Sequence, residues 1–266
     1  MKKASRLLLS LGLSLCIACS GLPASAAEVP AAVPAVKEDK VVTDVSPLED
    51  RLRNIVGFTT NFGGPYNFVQ AEQKSTVQAF GDAPAEGAVA LLRLYSRADD
   101  RGDTSLNTSG HAFISVRNVS DHDLEVGGLL IAPDTEMTFG TRGNRNEHAG
   151  IWYNLEGYYK CYLAGSYYQN LYGIQTSLDQ AQLDVLNQNL AVSDHWSAYF
   201  NCAAFTEGIW NAVCADTVSA GRPYSPASLR DDLLAKYADK AVFNPSIPYD
   251  YIVYYGSSLT PSREFV

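Results

Sequence analysis

A cysteine where a loop gives way to a helix, and a histidine at the head of a distant strand, are the side chains whose types and placement suit nucleophilic chemistry. Cys202 lies in Asn201-Cys202-Ala203-Ala204-Phe205, after the loop from His195 to Phe200. Unpaired N–H groups and the positive end of the helix dipole favour a thiolate there, lowering a pKa that is about 8.5 in free cysteine. The thiolate is the attacking species. His111 follows Gly110, and an imidazole of pKa about 6.5 takes a thiol proton at neutral pH. Cysteine is also among the most buried residue types, so Cys202 equally reads as a small core residue or a disulfide partner.

The elements that must position this pair follow from periodicity. Segment 88–96 is an apolar run after Gly87, and 111–118 alternates Ala112, Ile114 and Val116 against Phe113, Ser115 and Arg117. Both read as strands. Segments 123–131, 136–141 and 150–156 read as further strands, separated by turn signals at Ser120-Asp121, Pro133-Asp134 and 143–146. An antiparallel sheet is expected. After it the period changes: Leu178, Ala181, Leu183, Leu186 and Leu190 form a helical stripe behind Ser177, with Asp179 in the first turn. A second helix is expected over 202–214. A third is expected over 226–237, with Ser225 as N-cap and Pro226 at the first helical position. Segment 250–256 reads as a last strand.

The start of the chain carries Lys2, Lys3 and Arg6, then an apolar stretch from Leu7 to about Cys19, then Ala24-Ser25-Ala26. That is the pattern of a cleavable signal peptide over 1–26, which implies a secreted, periplasmic or cell-envelope protein. A lipoprotein reading through Cys19 is the alternative, although Cys16 stands where a lipobox has leucine. The apolar stretch is shorter than the roughly 20 residues that span a bilayer, and no second one follows, so no integral membrane segment is expected. Residues 27–47 have the composition of a linker, leaving 48–266 as a single domain.

Removing 1–26 takes away three of the 20 Lys and Arg and none of the 29 Asp and Glu, shifting the formal charge from −9 to −12. Phosphate neutralisation by Lys and Arg dominates nucleic-acid affinity, so nucleic acid is not an expected partner. Of five cysteines, Cys161, Cys202 and Cys214 lie beyond residue 26. An odd number leaves at least one thiol without an intramolecular partner. A Cys161–Cys214 disulfide is one of three pairings and leaves Cys202 free.

GHAFISV (110–116) followed by FNCAAFTEGIWN (200–211) resembles the circularly permuted branch of the NlpC/P60 and papain-like cysteine peptidase superfamily. In that branch the histidine strand precedes the cysteine helix. The resemblance covers about 86–215 and implies an α+β, papain-like fold whose antiparallel sheet packs against the helix bearing the cysteine. It makes Cys202 the nucleophile and His111 the base, with a third polar residue orienting the imidazole. If NVSDHDLEVGGLLIAPDTEMTFG (118–140) is an inserted hairpin, that residue falls in GIWYNLE, as Asn154 or, alternatively, Glu156; Asn154 is preferred.

The resemblance implies a cysteine hydrolase cleaving an amide bond in peptide or peptidoglycan-derived substrate, without metal or other cofactor. A lipid-directed acyltransferase or thioesterase, and an exported binding domain without catalysis, are the alternatives. An oxyanion hole would use the Cys202 N–H, with Asn201 or Tyr199 assisting. A lone His195–Cys202 pair lacks the ligand count of a zinc site. His122 and His148 read as surface residues, His148 being the nearer to substrate. Tyr153, Tyr158, Tyr159, Tyr162, Tyr167, Tyr168 and Tyr172 either stack on sugar or pack in the sheet. Residues 28–85 either cover the cleft as a pro-segment or join the core, and for the aromatic stretch 58–68 core packing is preferred.

Overall fold

The structure, a computed structural model, describes residues 65–98, 110–162, 170–247 and 252–265. The expected signal (1–26), the linker (27–47) and Tyr167-Tyr168 lie outside the described residues, as do 250–251 of the last expected strand.

The described elements are β1 (Val77–Gln78), β2 (Ala90–Ala98), β3 (Gly110–Asn118), β4 (Leu124–Val126), β5 (Leu129–Ile131), β6 (Glu136–Arg142), β7 (Gly150–Tyr153), α1 (Leu155–Tyr162), β8 (Leu171–Leu178), α2 (Gln180–Val192), α3 (Cys202–Val213), α4 (Pro226–Tyr237), β9 (Val242–Phe243), β10 (Tyr254–Tyr255) and β11 (Thr260–Pro261). The main sheet runs β1-β8-β2-β3-β6-β7-β10-β11, with β9 also on β8, and its named strand pairs are antiparallel. This is a mixed α+β architecture.

Period-two alternation sorts the two faces. Leu92 and Leu94 of β2 and Ala112, Ile114 and Val116 of β3 join Phe205, Ile209, Trp210 and Val213 of α3 and Leu183, Leu186 and Leu190 of α2 in one core. Tyr95 and Phe113 turn the other way, to Trp152, Leu155, Tyr159, Val253 and Phe265. Burying an aliphatic or aromatic side chain of this size contributes about 1.5–3 kcal/mol, so both faces of the central strands are committed to packing. Aromatic-rich α1 therefore lies across the sheet from α3.

Several boundaries differ from the sequence reading. The 118–140 stretch does contain a separate hairpin, β4–β5, outside the main sheet. Strand β8 has no counterpart in that reading, yet it pairs with β2 along its length. Its Leu-Tyr-Gly-Ile-Gln-Thr-Ser-Leu sequence alternates weakly, because both faces are largely buried. Ser177 belongs to that strand, and Asp179 is the N-cap of α2, in a capping box with Gln182. The segment 150–156 is strand only to Tyr153. Asn154 then adopts a left-handed backbone (φ 62°), a conformation in which Asn is enriched, and the chain turns directly into α1.

Candidate active site

Cys202 is the first residue of α3, and Asn201 is its N-cap. The Asn201 side-chain oxygen accepts from the N–H groups of Ala203 (3.0 Å) and Ala204 (3.3 Å), while its amide donates to the Tyr224 carbonyl at 2.9 Å. These bonds fix the helix start and leave the Cys202 N–H outside the cap. They also take one of the two amide N–H donors of Asn201, the one bonded to Tyr224. Tyr199 is 65% exposed, facing solvent.

The slot for the thiol comes from the sheet. β3 and β6 pair only between Ile114 and Arg117 on the β3 side, so the ladder stops short of the His111 end. There the Ala112 N–H approaches the Cys202 sulfur and favours its charged form. Ala112 is the chain neighbour of His111. The thiol of α3 and the ring of β3 thus come to the same end of the sheet from opposite faces. Burial raises the Cys202 pKa, and the Ala112 N–H, the Arg142 charge and the Ala203 N–H only partly offset it. The expectation of a lowered thiol pKa is corrected: the helix-terminal effect is present, but desolvation outweighs it.

His111 is buried and stacks on Phe113, with ring centroids 5.7 Å apart. Its Nε2 lies 2.8 Å from Glu156 Oε1. Glu156, in the first turn of α1, is wholly buried and takes a second bond on the same oxygen from Arg142 Nε at 3.2 Å. Burial and the Arg142 charge pull the imidazole down to about 4, although Glu156 opposes them. Burial also works against ionisation of Glu156, yet its His111 hydrogen bond and the Arg142 charge hold the carboxyl below its usual range. Both directions describe one state at neutral pH: a carboxylate accepting from a neutral ring. A carboxylate only accepts, so a hydrogen bond to it requires the ring proton on Nε2, an arrangement that leaves Nδ1 as the basic nitrogen.

The preference for Asn154 as orienting residue is corrected. Its amide donates to the Ile252 carbonyl at 3.1 Å, and Glu156 is the residue bonded to His111. Asn154 instead makes the turn that carries Glu156 into place. The signal is in the sequence: an Asn at a cap position, a Glu two residues on, and Leu155, Tyr158, Tyr159 and Tyr162 at helical spacing. Reading 150–156 as all strand conceals it. Arg142, bonded to the same Glu156 oxygen, is a residue of this cluster that sequence reasoning misses.

The loop before Cys202 is held from two sides. Tyr66 stacks on His195 at 4.3 Å and donates to the carbonyls of His195 (2.8 Å) and Phe200 (3.1 Å). Burial pushes the Tyr66 phenol up, and charge on Cys202 or Asp194 would raise it further. Val69 exchanges backbone bonds with the Asn189 side chain (2.7 and 2.9 Å). A Cβ on Gly208 would overlap the Phe68 ring. The segment from residue 65 is therefore packed onto α2 and α3.

His148 Nε2 lies 2.6 Å from Asp194 Oδ1, an oxygen that also accepts from the Ile151 N–H. Asp194 Oδ2 accepts from Ser257 N–H. His148 is therefore an anchor for the loop rather than a plain surface residue. His122 is exposed beside Asp121. A cleft of about 540 Å³ runs along α3, lined by Tyr66, Phe68, Phe200, Ala204, Glu207 and Tyr224 among others. Its walls do not include Cys202, His111 or Glu156.

Cys161, Cys202 and Cys214 are all free, correcting the suggested disulfide. Cys161 is exposed on α1 and Cys214 is buried at the end of α3, with the sheet between them. The tyrosine series is mostly structural. Tyr153 and Tyr159 are core residues, Tyr158 packs on Phe265, and Tyr162 is exposed. Among the described residues no group of three or more His, Cys, Asp or Glu is placed to hold a metal ion, and no helix is long and apolar enough to cross a membrane. Comparison of the chain with protein-family models, with curated proteins and with solved structures finds no match.

Proposed function

We propose that the protein is an exported cysteine hydrolase of the permuted NlpC/P60-like, papain-like type, cleaving an amide bond in cell-wall peptides with Cys202, His111 and Glu156. The observation that carries this reading is the bond from His111 Nε2 to the buried Glu156 carboxylate, with Cys202 at the start of α3 against the backbone of Ala112, the residue next to His111. Order along the chain, histidine then acid then cysteine, follows from the same residues. The cell-wall substrate rests on the sequence resemblance and the export signal.

In this mechanism the resting cysteine is a thiol, because burial raises its pKa. His111 makes no hydrogen bond to the sulfur in the resting structure, so the step requires Nδ1 to come within reach of Cys202, where it takes the proton as sulfur attacks the substrate carbonyl carbon. Glu156 stabilises the imidazolium that forms, and the Cys202 N–H faces the developing oxyanion. The imidazolium then protonates the departing amine, the C–N bond breaks, and a thioester on Cys202 remains. Water, deprotonated by the same nitrogen, hydrolyses the thioester and restores the thiol.

Digestion of purified peptidoglycan by the wild type and by Cys202→Ala tests the reading. New muropeptide termini from the wild type alone support it. Release of free fatty acid from phospholipid vesicles, with peptidoglycan intact, would move the protein to the acyl-directed reading. Binding of peptidoglycan without turnover would leave a binding domain.

A further inference from the structure

Glu156 directs both of its hydrogen-bonded partners to one oxygen. Oε1 meets His111 Nε2 and Arg142 Nε, while Oε2 is buried with no partner. Such a carboxyl has two conceivable protonation states, and this one is held in the ionised state. Desolvation favours the neutral acid, which needs no counter-charge. A neutral Glu156 would donate its own proton to His111 Nε2, and the ring would then carry its hydrogen on Nδ1, the nitrogen that must stay empty to accept from a thiol.

Arg142 decides between them. It is buried on β6, its guanidinium carbon is 5.0 Å from the centre of the Tyr159 ring, and a guanidinium is always charged and only donates. The groups facing Glu156 are His111 from β3, Arg142 from β6 and Cys202 from α3, with Arg145 beyond His111. Of these, Arg142 is the fixed cation bonded to the carboxylate.

We propose that Arg142 is a positioning residue that keeps Glu156 ionised and so fixes the Nε2–H tautomer of His111, leaving Nδ1 free as the base. This rests on the catalytic reading of His111 and Glu156 for its consequence, but the tautomer is a property of the resting protein. Arg142 acts through the carboxylate and the ring, without touching substrate.

The test is the nitrogen-15 spectrum of histidine-labelled protein at pH 7, with His111 assigned through His111→Gln. The wild type should show a protonated Nε2 and a bare Nδ1 on His111; the opposite tautomer in the wild type overturns the proposal outright. Arg142→Gln keeps a donor but removes the charge, and Arg142→Lys keeps the charge but loses the planar fork. The ratio of Nδ1–H to Nε2–H should rise about tenfold or more in Arg142→Gln and stay near wild type in Arg142→Lys. An unchanged tautomer in folded Arg142→Gln refutes the proposal. Because no substrate is present, a failure to cleave peptidoglycan would sink the hydrolase reading without altering this result.

Discussion

His111 Nε2 and Glu156 Oε1 stand 2.8 Å apart, joining β3 to the first turn of α1 across buried space. Replacing the carboxylate by an amide keeps the shape and removes the charge. Glu156→Gln should stay folded by circular dichroism and lose about 10²- to 10⁴-fold in kcat/KM on the cleaved peptide. Activity within about threefold of wild type would remove Glu156 from the mechanism.

Thiol reactivity should rank by burial rather than by helix position. Cys161 is exposed, Cys202 is raised by burial, and burial pushes Cys214 up to about 11. With limiting iodoacetamide at pH 8, peptide mapping should find Cys161 labelled first, and Cys202 labelling should climb through the range above the ordinary thiol pKa. Fast labelling of Cys202 at pH 6 would show a resting thiolate and contradict a resting pair of neutral thiol and neutral imidazole.

Acid stability should carry the signature of a histidine buried neutral. The folded ring sits at about 4, whereas in the unfolded chain it titrates near 6.5. The unfolded state therefore binds the proton first. His111's contribution is complete above about pH 6.5 and is lost as pH falls towards 4, by up to about 3 kcal/mol. Urea midpoints at pH 7 and 4.5 should fall further for wild type than for His111→Gln. Equal falls would place the acid sensitivity elsewhere.

The cap of α3 makes a separate prediction. Asn201→Ala removes the acceptor for two N–H groups and the donor to Tyr224, and should cost about 1–2 kcal/mol of unfolding free energy. Asn201→Asp keeps the acceptor and should lose less. Denaturant unfolding checks both, and an Asn201→Ala midpoint equal to wild type would show that the cap is not what holds the helix start.

What is legible in the sequence and what is hidden have physical reasons. Helix α4 is legible to the residue because Ser225 and Pro226 are local start signals, and β3 because one face alternates cleanly into the α3 core. Strand β8 is hidden because a strand buried on both faces loses its period. Cys202 and His111 stand out by chemical type at the ends of elements. Glu156 is reduced to an alternative because its role depends on a single left-handed residue, Asn154, that turns strand into helix. Arg142 becomes meaningful only once the fold brings β6 beside α1, a contact with no trace in local pattern.

The central claim, that Cys202 is a nucleophile deprotonated by His111, is tested most directly by mass spectrometry of the protein after brief exposure to 4-nitrophenyl acetate. The account predicts an acetyl group on the Cys202 peptide of the wild type, formed with release of nitrophenol, and little or none on that peptide in folded His111→Gln. Acetylation confined to Cys161, or equal at Cys202 with and without His111, would contradict it.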